Sequence, residues 1–192
     1  MNKMKKVFKV AIYELKLMCF SSKFLILSVL AFIIMDVTVR GYRMFSHDYN
    51  LPIAPAVLPF YFADVSYGNI EILFLLLWFS DVPMKQRVQN QILQRCGMPC
   101  FALGHLFSIV FATIVFVLEQ FVFSVLLCGT NLTFTSWGKV WGSAAAGTVK
   151  KLGYSSGFVI SKNVFQNYTV PQALLFSMTI FLLMGICYGM VE

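Results

Sequence analysis

Charge is what this chain has least of. Only 12% of its residues are charged, against roughly 25% in ordinary soluble domains. Acids are scarcer still, 8 against 15 Lys and Arg. The scarcity is also uneven. Ala173 to Val191 holds no charged residue, and Phe101 to Cys128 has only His105, Glu119 and Gln120 as strongly polar interruptions. A helix crossing ~30 Å of hydrocarbon needs ~20 apolar residues at ~1.5 Å each, and the longer of these runs exceeds that. A soluble globular domain is excluded. The predicted fold is all-α, a polytopic membrane bundle with about four transmembrane helices.

Catalytic signatures are missing too. No HExxH, GxSxG or paired-carboxylate motif occurs, and no GxxxxGK[ST] loop, so the chain cannot itself be a P-loop ATPase. His47 and His105 fall in different regions, near opposite faces of the membrane in the topology below. An intramembrane enzyme joining His105 to Glu119 is disfavoured, because the helix between them is roughly 21 Å long. The five cysteines are scattered, and the Cys96–Cys100 spacing matches neither zinc nor thioredoxin patterns. The expectation is no enzyme, no metal and no cofactor. Nothing resembles a nucleic-acid-reading module. Lys3, Lys5, Lys6, Lys9, Lys16 and Lys23 instead precede the first apolar run, which points to anionic lipid headgroups.

What is present reads as one membrane domain, 1–192. Residues 3–20 suit a helix lying on the membrane, with Lys5, Lys9 and Lys16 within about 40° of one another. Val7, Phe8, Ala11, Leu15, Met18 and Cys19 fill its broad apolar side. A cytoplasmic extension of the first span is the alternative. The first span is 24–39, retained rather than cleaved, since Arg40-Gly-Tyr-Arg43 follows it instead of a small-x-small site. Residues 40–64, broken by Pro52, Pro55 and Pro59, form an outer loop whose stretch Leu51–Ala63 touches the interface, a re-entrant excursion with internal backbone partners being the alternative. The second span is 65–83, the third 101–128 and the fourth 171–191. An outer segment, 129–170, with Trp137 and Trp141, is expected to hold short interfacial helices and loops.

Residues 84–97 join the second and third spans. Met84, Val88 and Ile92 recur at i, i+4 and i+8 as an apolar stripe, and Lys85, Arg87 and Arg95 add positive charge with no acid. Gly97 and Pro99 end this helix. Four spans put both termini on one side. The segments on that side carry nine basic residues and the outer ones six, which places the N-terminus in the cytoplasm. Glu119 sits deep in the third span, where a carboxylate faces a bundle interior or cavity. With Gln120 it is a candidate intramembrane polar site, either part of a substrate path or a structural hydrogen bond. Asp36, Glu71 and Asp81 are expected at headgroups near span ends, with a position facing the protein interior as the alternative for Glu71, and His105 at the interface.

This order of parts resembles the membrane subunit of ABC-2-type ABC transporters. Lys3–Phe20 lies where that family has its elbow helix, and Met84–Gly97 where it has its cytoplasmic coupling helix. The phrase Gln94-Arg-Cys-Gly-Met-Pro-Cys-Phe-Ala-Leu-Gly-His105 looks like the passage from coupling helix into third span. Ser136-Trp-Gly-Lys-Val-Trp-Gly142 and Asn167-Tyr-Thr-Val-Pro-Gln-Ala-Leu174 look like the outer segment of bacterial members. The resemblance implies a permease in the bacterial plasma membrane, an exporter, driven by a separate ATPase subunit that binds Met84, Lys85, Arg87, Val88, Ile92 and Arg95. The family usually has six spans, so it also implies a short or truncated relative completed by a second permease. A stand-alone immunity or regulatory membrane protein is the competing reading.

Overall fold

The computed structural model describes residues 3–80, 87–129, 131–154, 157–158 and 160–191. Among the described residues there are ten helices and no strand. In chain order they are α1 (Lys3–Cys19), α2 (Ser22–Asp48), α3 (Leu58–Ala63), α4 (Val65–Phe79) and α5 (Arg87–Cys96). Then follow α6 (Met98–Cys128), α7 (Gly138–Ala145), α8 (Thr148–Lys151), α9 (Lys162–Asn167) and α10 (Val170–Val191). The all-α expectation is met. Three helices, α2, α6 and α10, are long and apolar enough to cross a membrane. α4 is apolar but has 15 residues, about 22 Å of helix.

Local chemistry sets several boundaries. Ser21 separates α1 from α2. Its hydroxyl donates to the Met18 carbonyl at 2.8 Å and accepts from the Phe24 amide at 3.1 Å, capping the amide ends of α2. α2 continues to Asp48, whereas the sequence reading begins an outer loop at Arg40. Polarity does not stop this helix because its far end has a buried face of its own, with Tyr42 and Phe45 in a hydrophobic core. Two turns of the helix are also tied together by Asp36 and Arg43, paired at 3.0 Å. Asp36 is therefore ion-paired within the protein, not a bare headgroup contact.

Contacts divide the chain into two compact units. One comprises Met1–Ser28, Ile72–Val117 and Phe181–Glu192. Here α1 buries Val7, Val10, Ala11 and Met18. Gly104 of α6 admits the closest approach. A Cβ there would lie 2.8 Å from that of Val10 and 3.1 Å from the Val7 carbonyl. Phe24, Trp78, Phe116 and Phe181 form a chain of ring contacts at 5.0–6.0 Å, bringing together residues of α2, α4, α6 and α10. Gly185 and Gly189 of α10 pack on Thr113 and Ile109 of α6. This is the small-xxx-small contact by which membrane helices approach without an apolar driving force between them.

The other unit is Val29–Glu71 with Leu118–Ile180. Its core holds Tyr42, Phe60, Tyr61, Trp141 and Phe158, together with Ile53, Ala54, Ala56 and Val57. The stretch Leu51–Ala63, expected to touch the interface, is thus largely interior. Its broken backbone needs hydrogen-bond partners wherever water is absent, and distant segments supply them. The Ile53 amide donates to the Asn131 carbonyl at 2.9 Å and its carbonyl accepts from Thr133 at 3.0 Å. The Val57 amide donates to Ser124 Oγ at 3.4 Å. The Ala54 carbonyl accepts from the Trp141 indole at 2.8 Å, and the Trp137 indole donates to the Tyr168 carbonyl at 2.7 Å. Both tryptophans are buried core residues. Gly138 makes this packing feasible, with φ of +70° and no room for a Cβ beside the Pro52 carbonyl.

Candidate functional site

α5 ends as its sequence predicts. Gly97 adopts φ of +79° and its amide bonds the Leu93 carbonyl at 2.9 Å, the left-handed stop that glycine favours. Of the residues assigned to this helix, Met84 and Lys85 lie outside the described residues, as do the side chains of Arg87 and Val88. Ile92 is half-buried and Arg95 exposed. Both line a pocket of about 220 Å³ shared with Lys6, Lys9, Val10 and Tyr13 of α1. Lys6 Nζ donates to the Arg95 carbonyl at 3.4 Å. The described part of the apolar stripe therefore faces another helix of its own unit.

A second group of polar residues belongs to the unit built from Val29–Glu71 and Leu118–Ile180. Glu71 of α4 is 3% exposed, Gln120 of α6 is fully buried, and Glu119 is half-buried. The charge of Glu119 acts on Glu71. Glu71 Oε2 and both side-chain polar atoms of Gln120 have no hydrogen-bond partner among the described residues. Glu71 is thus an interior residue, the alternative to a headgroup position that its sequence context left open, while Asp81 lies outside the described residues. Nearby, Thr38 and Tyr61 share a hydrogen bond. Burial pushes the Tyr61 phenol well above its ordinary range, with the Thr38 bond opposing and Glu71 adding to the shift. At the surface, the hydrogen bond of Tyr154 to Asp48, 2.6 Å long, pushes that phenol up to about 12.

The third group was not legible as a site. Glu14 Oε2 on α1 accepts from Ser108 Oγ at 2.8 Å and lies 2.9 Å from His105 Nδ1. The side chains of His105 and Glu14 are only 20% and 14% exposed. His105 is therefore held inside the protein fabric by a carboxylate, not simply placed at the interface. The serine bonds the carboxylate rather than the imidazole. The three side chains clamp α1 to α6. One sequence signal pointed to it. Glu14 is the acid of a basic helix, and at about 100° per residue it falls on the side of Val7, Val10, Ala11 and Met18.

Among the described residues no three His, Cys, Asp or Glu side chains gather as a metal site would require. The three long apolar helices define the class: this is a multi-pass membrane protein. No family model, curated protein or solved structure matches the chain.

Proposed function

We propose that this chain is the membrane-embedded permease subunit of an ABC-type exporter, driven by a separate ATPase subunit. The observation that carries the reading is the position of α5, a basic amphipathic helix between apolar α4 and α6, with amphipathic α1 preceding apolar α2. In this reading α2, α4, α6 and α10 are four spans of a bacterial plasma-membrane protein, with the N-terminus in the cytoplasm. α5 is the coupling helix, and the chain itself performs no catalysis. ATP binding on the partner moves the helix, and the spans shift between inward- and outward-facing packings because each makes different contacts with the ATPase. Glu71, Glu119 and Gln120 are the polar element of the substrate path, since buried polar side chains in a spanning bundle mark such paths. A second permease, identical or related, completes the pathway.

The test is co-purification from native membranes. An ATPase carrying a GxxxxGK[ST] loop should accompany the chain, and Lys85→Glu with Arg87→Glu should abolish that association while insertion is preserved. If the substituted protein inserts normally and retains the same ATPase in undiminished amount, the coupling role of α5 fails. If the unsubstituted protein purifies with no ATPase at all, the reading gives way to a stand-alone immunity or regulatory protein.

A further inference from the structure

The first half of α10 carries a pocket. Ala173, Phe176, Ser177 and Ile180 recur at i, i+3, i+4 and i+7, one face of the helix, and all four line it. From Ala173 to Ile180 is about 10 Å of helix, so the pocket stays within one leaflet of a ~30 Å hydrocarbon layer. α3 supplies a second wall through Pro59 and Ala63, and Val164 of α9 with Tyr168 supplies the third. The walls are tied to the fold. Pro59 is buried. The Tyr168 amide donates to the Val164 carbonyl at 3.3 Å, and its own carbonyl accepts from the Trp137 indole. The Tyr168 ring stacks on Phe176 with centroids 6.2 Å apart. The volume is about 240 Å³, more than the ~150 Å³ in which an apolar cavity of a soluble protein holds benzene.

The chemistry of the walls selects what can fill this space. Among the described residues no charged side chain lines it. The Ser177 hydroxyl donates back to the Leu174 carbonyl at 2.9 Å, so its hydrogen is already used. A water needs about two to four polar partners, and a charged headgroup needs pairing. These walls provide neither. Hydrocarbon asks for no partner and is at hand. α10 is long and apolar enough to cross a membrane, and its Leu175 and Phe176 are 66% and 60% exposed. Phe176, Tyr168 and Ala63 line the pocket and are also exposed at the surface, so the pocket opens outward. Left empty, it would forfeit the dispersion contacts of its lining atoms.

We infer that the pocket between α3, α9 and α10 holds one acyl chain of a bilayer lipid, drawn from the leaflet at which α10 begins. Lipid tails are as apolar as the side chains of a spanning helix, so the chain is held by close packing and not by escape from water. The walls read shape and not charge, and the headgroup is left unselected. The site rests on the membrane character of the chain and not on the presence of an ATPase, so either reading can fail alone.

The experiment uses the full-length protein in lipid nanodiscs containing phosphatidylcholine or phosphatidylglycerol with a photoreactive diazirine at mid-chain. Illumination links the lipid to its neighbours, and peptide mass spectrometry locates the adducts. They should concentrate on the pocket walls, above the level at exposed Leu183 further along α10, and equally for both headgroups. Ala63→Trp fills the pocket from its exposed rim and should abolish the wall adducts while those at Leu183 persist. Ile180→Trp fills it from α10 and decides the matter should the first variant not fold. Leu183→Trp adds the same ring outside the pocket and should leave the wall adducts intact. Adducts spread evenly over the exposed apolar residues, or undiminished in the filled variants, overturn the site and show boundary lipid only. A diazirine placed on the headgroup should not label the walls. Labelling there as strong as from mid-chain overturns the acyl assignment.

Discussion

Glu71 has a carboxylate oxygen with no hydrogen-bond partner among the described residues, in a side chain only 3% exposed. Leaving such an atom buried costs about 1–3 kcal/mol, a cost a protein retains where the group has work to do. Glu71→Met keeps the volume and removes the orphaned oxygen. It should raise the thermal midpoint in detergent, by an amount corresponding to about 1–3 kcal/mol. If Glu71 belongs to a substrate path, transport should fall in the same variant. A lowered midpoint would mean that the carboxylate is satisfied and structural. Trp141 is the opposite case. It is as deeply buried, but its indole has a partner in the Ala54 carbonyl, so its large apolar surface is buried with its polar atom satisfied.

At the scale of elements, α10 shows how a featureless apolar run acquires a specific neighbour. Its composition says only that it can span, since lipid tails are as apolar as its own side chains. Gly185 and Gly189 give it a flat strip against Thr113 and Ile109. Gly185→Val should destabilise the protein by about 1–3 kcal/mol through overpacking. Leu175→Ala, at a position 66% exposed, should change little. Thermal unfolding followed by circular dichroism in one detergent compares the two, and equal midpoints would remove Gly185 from the interface. α1 is held differently, by close approach at Gly104 and by the Glu14 clamp to His105 and Ser108. Its amphipathic pattern predicted a helix with one buried face. It did not predict which helix would cover that face, because periodicity records the existence of a partner and not its identity.

For the whole molecule, the proposed four-span topology rests on two amphipathic basic helices separated by two apolar ones. Single cysteines introduced at His47, Gln94 and Lys151 in a background without Cys19, Cys96, Cys100, Cys128 and Cys187 would report it. The His47 side chain is 90% exposed, and Gln94 and Lys151 are also exposed, so labelling is limited by the membrane and not by packing. Positions 47 and 151 should react with an impermeant maleimide from outside intact cells. Position 94 should react only after lysis. External labelling at 94 would overturn the four-span arrangement.

The apolar runs by themselves determined the class of this protein, the all-α fold and the cores of α2, α6 and α10. A long, nearly uncharged run of about 20 or more residues satisfies its backbone in hydrocarbon most directly through the local helical ladder, which, unlike a barrel, requires nothing from elsewhere in the chain. Gly97 likewise ended α5 by local geometry alone. Tertiary structure decided the rest. The Pro-rich stretch Leu51–Ala63 read as a peripheral loop because its hydrogen-bond partners, Ser124, Asn131 and Trp141, lie far along the chain. Glu71 read as either a headgroup or an interior residue because nothing in its own run shows that the charge of Glu119, on another helix, reaches it. The Glu14–His105–Ser108 clamp joins residues about ninety positions apart. Burial and pairing are properties of which elements meet, and a sequence pattern with a period of one helical turn carries the face but not the encounter.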